Sequence, residues 1–95
     1  MKGAIRTARL RIAGRVQGVG YRLWAIDTAV SLGLRGWVRN RADGAVELLA
    51  SGTEDAVAAM IGAARQGPPA ARVSKVEVVD HEDDGSLGFT ARPTE

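Results

Sequence analysis

The sequence predicts an α+β sandwich, two helices laid on one face of an antiparallel sheet. Two observations carry that prediction. Apolar residues alternate with polar ones in some stretches and recur at helical spacing in others, and the stretches follow one another as β-α-β-β-α-β. Breaks rich in glycine, proline and aspartate separate them. A chain of 95 residues, 45% hydrophobic and 25% charged, also has enough apolar material for one core and no more.

Each element has its own signal. In "TARLRIAG", Ala8, Leu10 and Ile12 point one way while Thr7, Arg9 and Arg11 point the other, as in a half-buried strand. Gly14 to Gly20 reads as a loop. From Tyr21 to Leu32 the period changes, and Tyr21, Ala25, Thr28, Ala29 and Leu32 share one helical face. Gly33 is a natural stop. "LRGWVRN" (Leu34 to Asn40) and "AVELLAS" (Ala45 to Ser51) are the second and third strands, joined by the turn residues "RADG" into a hairpin. Thr53 suits the N-cap of a second helix, with Glu54 and Asp55 in its first turn and a buried stripe of Val57, Met60, Ile61 and Ala64. Gly67-Pro68-Pro69 ends it. "RVSKVEVVD" is a fourth strand and "FTARP" a short fifth. The first six and last three residues are expected to fray.

Two split βαβ units joined by a hairpin make a ferredoxin-like sandwich, in which the first and third strands are central neighbours and the second flanks the third. No repeat or low-complexity tract interrupts it, so residues 1–95 read as a single domain.

Composition removes whole classes of chemistry. The chain has no cysteine and one histidine, which excludes disulfides, thiolate metal sites and histidine clusters. No metal and no cofactor is expected. Nothing resembles a secretory signal or a membrane span, so a cytoplasmic setting without membrane partners is expected. A net charge of +2 is too small to argue for nucleic acid. The charges are nevertheless unevenly spread. Arg6, Arg9, Arg11, Arg15 and Arg22 crowd the first quarter and acidic residues gather in "HEDDG", which suits an anionic ligand near the N-terminal half.

"GRVQGVGYR", Gly14 to Arg22, is the informative stretch. A strand, a glycine-rich turn and a helix start form the general recipe for an anion site. Unpaired N–H groups of turn and helix converge, and the macrodipole adds positive potential. Glycines let successive N–H groups face inward as a nest. The Walker pattern is excluded because Tyr21-Arg22 follows Gly20, and the dinucleotide fingerprint because Leu23 stands where glycine is needed. Arg22 falls in the first helical turn, where a cation opposes the dipole unless an anion is bound. Its planar fork grips two oxygens of one phosphate, as lysine cannot. Taken singly these residues are an ordinary loop with a solvated arginine. Together they favour an anion site.

"GRVQGVGYR", followed by "LGLRGWVRNRADGAVE", closely resembles the two signature segments of the acylphosphatase family. The resemblance extends from about Leu10 to Val79 and includes "GPPAARV", whereas "FTARPTE" departs from the family's usual ending. It implies metal-independent hydrolysis of acyl phosphates, which are carboxylic-phosphoric mixed anhydrides, to carboxylate and inorganic phosphate. On that resemblance Arg22 binds the substrate phosphate and Asn40 positions the attacking water. Gly14, Arg15, Val16, Gln17, Gly18, Val19, Gly20 and Tyr21 would form the phosphate-binding loop. Inorganic phosphate would be product and competitive inhibitor, and the free-standing form would be a monomer.

The residue types suit that chemistry. An amide oxygen at Asn40 accepts from water without placing negative charge beside a phosphate; asparagine before "RADG" also suits a plain turn-former. A carboxylate leaving group, with a pKa of about 4 by analogy with Glu, departs without a general acid. Two rival classes remain. A non-catalytic small-anion module would share the glycine-rich turn but would not need Asn40. RNA-recognition domains share the element order but need stacking aromatics on both central strands, and "TARLRIAG" and "AVELLAS" have none. Arg9, Arg11, Arg35, Arg39 and Trp37 would make the open sheet face basic. His81 belongs to an exposed acidic loop, and Trp24 to packing, with a brush against the acyl group as its other role.

Overall fold

The computed structural model describes residues 4–95. Strand β1 (Ile5–Arg15) leads into helix α1 (Tyr21–Ser31); β2 (Arg35–Asn40) and β3 (Val46–Thr53) follow, then α2 (Glu54–Ala64), β4 (Arg72–Asp80) and β5 (Phe89–Ala91). The sheet order is β4-β1-β3-β2-β5, so β1 and β3 are central neighbours and β2 flanks β3 as expected. All pairings but one are antiparallel. β5 runs parallel to β2, Gly36 opposite Phe89, which makes the sheet mixed.

Alternation along the strands creates the core. Ala8, Leu10, Ile12, Val38, Val46, Leu48 and Ala50 turn to the helices and meet Tyr21, Ala25, Ala29, Val57, Met60 and Ala64. Each larger side chain among them contributes about 1.5–3 kcal/mol by burial. Thr28, Leu32 and Ile61, expected on the same helical faces, are half-buried at the margins. Helix α1 ends in a Schellman motif. The Gly33 N–H donates to Val30 O at 3.0 Å and the Leu34 N–H to Ala29 O at 2.9 Å, with Leu34 buried beneath.

Both chain ends correct the expectation of fraying. Residues 1–3 lie outside the described residues, but Ile5 and Arg6 are strand, paired with Thr53 and Gly52. At the other end the Arg92 N–H donates to Val38 O at 2.9 Å and the Glu95 N–H to Asn40 O at 3.2 Å, while the Ala42 N–H donates to Glu95 O at 3.0 Å. Tertiary partners hold both segments. β1 also runs further than alternation indicates. Its pairing with β4 shifts register between Ala13 and Gly14. Gly14 has φ 124°, and a Cβ there would stand 2.2 Å from Arg72 O, so the bulge admits glycine alone. Gly14 and Arg15 therefore belong to the strand, and the turn proper is Val16 to Gly20.

The open sheet face carries the expected arginines, but acidic residues pair with them and offset the basic character expected. Glu47, buried at its centre, accepts hydrogen bonds from Arg9 at 2.9 Å, Arg39 at 2.7 Å and Arg41 at 3.2 Å. Burial pushes its carboxyl up, and the bonds from Arg39 and Arg9 outweigh that and hold it below the usual range. Arg11 pairs with Asp43 at 2.7 Å, and Arg35 with Asp83. The acidic segment after β4, exposed as expected, reaches back over β2. Asp84 accepts from the Trp37 indole N–H at 3.0 Å, and the guanidinium groups of Arg39 and Arg92 lie over the ring, 4.8 and 4.7 Å from its centroid. Trp37 is buried under this cover, which leaves little of the ring for a base to stack on.

Candidate active site

The turn from β1 into α1 leaves its backbone donors open. Gly18 and Gly20 have φ 73° and 80°, in the left-handed region that a nest of N–H groups needs. Gly20 is the N-cap of α1 and no side chain caps the helix. The first helical hydrogen bond runs from the Trp24 N–H to Gly20 O at 3.1 Å. Among the described residues the N–H groups of Gln17 through Leu23 find no protein acceptor, and the first turn of α1 contains no acidic residue. Arg22 stands in that turn with its side chain in solvent.

Asn40 comes from the end of β2. It lies there opposite Val46, two residues beyond Val38, and so faces the helices. A cavity of about 330 Å³ lies between these parts. Gly18, Gly20, Arg22 and Asn40 supply its polar lining; Val16, Tyr21, Leu23, Ile26 and Ala91 supply the apolar remainder. The strand, turn and helix start that the sequence marks as an anion site thus meet the end of β2 in one concavity. Fixed donors and a guanidinium there suit a tetrahedral oxyanion, and an amide suits a neutral water beside it.

The other expected loop residues do different work. The Gln17 side chain turns away to the β2–β3 turn, and Val19 packs on the core. Gly14 and Arg15 sit in the bulge. Tyr21 contributes ring and backbone: its hydroxyl is buried and donates to Ala64 O at 2.7 Å, with burial pushing its pKa up. Trp24 packs edge-to-face on Tyr21 at 5.2 Å and is not part of the cavity wall.

A family model for acylphosphatases matches residues 8–91. The chain belongs to the acylphosphatase family. An acylphosphatase of Rhodospirillum rubrum is 51% identical over 90 residues, which cover 95% of this chain and 99% of that one. One from Thermococcus kodakarensis is 54% identical over 82 residues, 86% of this chain and 90% of its own. The crystal structure of an acylphosphatase from Bacillus subtilis matches with a TM-score of 0.88 at 36% identity, over 94% of this chain and 99% of that one. No described helix is long and apolar enough to cross a membrane.

Three wall residues of this acylphosphatase-family cavity escape the sequence reading. Leu23 and Ile26 stand three apart on α1 and so share a face, and Leu23 is 72% exposed beside Arg22. The available signal was a leucine next to Arg22 that lies off the apolar stripe of Tyr21, Ala25, Thr28, Ala29 and Leu32. Ala91 reaches the cavity through the parallel β2–β5 pairing, for which no local signal exists.

Proposed function

We propose that this chain hydrolyses acyl phosphates by in-line attack of water on phosphorus, with the phosphoryl group held at the start of α1. The observation that carries the proposal is the run of open N–H groups from Gln17 to Leu23, of which Gly18, Gly20, Tyr21, Arg22 and Leu23 line one cavity with Asn40. Turn amides and the Arg22 fork hold the phosphoryl oxygens, and their donors strengthen as charge builds there. The Asn40 amide oxygen accepts a hydrogen bond from the water and aims it opposite the leaving oxygen. Water oxygen bonds to phosphorus, the bond from phosphorus to the bridging oxygen breaks, and the carboxylate leaves with the electron pair. A phosphate oxygen takes the water's proton. The acyl group lies against Leu23 and Ile26.

A carboxylate needs no acid to leave and Arg22 supplies positive charge, so the reaction needs no metal. Inorganic phosphate, retained by the same donors, is a competitive inhibitor. The same reading takes residues 1–95 as one domain acting as a cytoplasmic monomer.

Turnover of benzoyl phosphate in excess EDTA tests the chemistry: full activity is expected, and a collapse restored by magnesium overturns the metal-free step. Calorimetry of phosphate binding tests the division of labour. Asn40→Ala is expected to bind phosphate nearly as the parent does while turnover falls steeply, whereas Arg22→Lys loses both. Loss of phosphate binding in folded Asn40→Ala would make Asn40 part of the cradle instead.

A further inference from the structure

We propose that Gln17 is a positioning residue that sets the distance between the phosphoryl cradle and Asn40. Its Nε2 donates to Arg41 O and to Ala45 O, each at 2.8 Å. Those two carbonyls close the β2–β3 turn: the Arg41 N–H donates to Ala45 O at 2.8 Å and the Gly44 N–H to Arg41 O at 3.1 Å. Each carbonyl thus spends one lone pair on the turn and the other on Gln17, and both protons of the Gln17 amide are used. The bridge spans 24 residues to Arg41, the immediate neighbour of Asn40.

The chemistry suits glutamine. Two carbonyl oxygens facing one side chain need a group that turns two donors toward them, as the Gln17 amide does. A glutamate would present oxygen to oxygen, and a methionine of similar length would present nothing. The Gln17 side chain, spent on these two carbonyls, is not part of the cavity wall, so any contact of this residue with phosphate is through its backbone N–H. Gln17 lies inside the turn that supplies the N–H groups, and ties that turn to the β2–β3 turn directly after Asn40. Without it, the turn that holds phosphorus and the end of β2 that aims water are joined by apolar packing of α1 and Val19 on the sheet, with no directional bond between them. An error of about 1 Å between reacting groups costs on the order of 10²-fold in rate.

This inference rests on the proposed water-aiming role of Asn40, and its test separates the two. Gln17→Met is made in the parent and in Asn40→Ala, and kcat and KM for benzoyl phosphate, Ki for inorganic phosphate and Tm are measured for all four proteins. In the parent, kcat is expected to fall about 10- to 100-fold while the phosphate Ki moves less than about 3-fold, since the cradle keeps its own geometry. In Asn40→Ala the same substitution is expected to change kcat less than about 2-fold, because a residue acting through Asn40 has nothing left to place. Unchanged kcat in folded Gln17→Met, or an equal fold-loss in both backgrounds, overturns the inference and leaves the Asn40 reading standing. Asn40→Ala at parental kcat overturns both. If Gln17→Met does not fold, Gln17→Asn, one methylene too short to reach both carbonyls, carries the same expectations.

Discussion

The two helices of this chain begin in opposite ways. At the start of α2 Thr53 takes extended backbone and its hydroxyl oxygen accepts from the Ala56 N–H at 3.2 Å, with Glu54 and Asp55 in the first turn. That end is capped and its dipole is met by negative charge. At the start of α1 there is a left-handed glycine, no cap, no acid and an arginine. By the rules that make α2 stable, α1 begins badly. The contrast separates a helix end built for stability from one whose missing partner is the ligand: an anion would satisfy the donors, the dipole and Arg22 together.

The comparison breaks first at Arg22. Arg22→Lys keeps the charge at the α1 start and loses the two-oxygen grip, so kcat/KM for benzoyl phosphate is expected to fall on the order of 10²-fold or more. Parental activity in that variant would move the site elsewhere. Phosphate should also act on stability: at 100 times its Kd it is expected to stabilise the parent by about 2.7 kcal/mol. Arg22→Lys at the same phosphate concentration should gain much less, as denaturant unfolding with and without phosphate would read.

How much of this was legible follows from where the determinants lie. Alternation in "TARLRIAG" and the 3.6-residue period after Tyr21 are local, so the order of elements could be read directly. The anion-site signal was local as well, because a glycine-rich turn and Arg22 fall within nine residues. What escaped is long-range. The β1 bulge depends on Arg72, and the order at Ile5 and Arg6 on Thr53 and Gly52. The open face read as basic because its arginines alternate visibly on two strands. Their counter-charges come from places far apart in the chain, Glu47 on β3, Asp43 in the turn, Glu77 on β4, Asp83 after β4 and Glu95 at the end. The bonds of Gln17 end on backbone carbonyls, which no residue type announces.

Smaller effects sharpen the comparison from the α2 side and from the sheet. Glu47→Gln is expected to cost about 2 kcal/mol, below the 3–5 of a fully buried pair because Arg9 and Arg41 are about a third exposed. Acid acts in the same direction. The carboxyls of Glu47, Asp43 and Asp83 are held below their usual range in the fold, so the stability they lend is complete above that range. It is lost as pH falls through the lowered values, and urea midpoints measured downward from neutral pH should decline there. Thr53→Ala is expected to cost about 1 kcal/mol with kcat/KM unchanged. Glu54→Gln should cost about 0.3–1 kcal/mol at low salt, again without kinetic effect.

The central claim is that the α1 start is open because an anion completes it. Titration of the ¹⁵N-labelled chain with inorganic phosphate tests that claim residue by residue. Saturable amide shifts are predicted for Gln17 through Leu23 and for the Asn40 side chain, with Glu54 through Val57 at the α2 start unmoved. Shifts of equal size at both helix starts, or none from Gln17 to Leu23 at tens of millimolar phosphate, would contradict it.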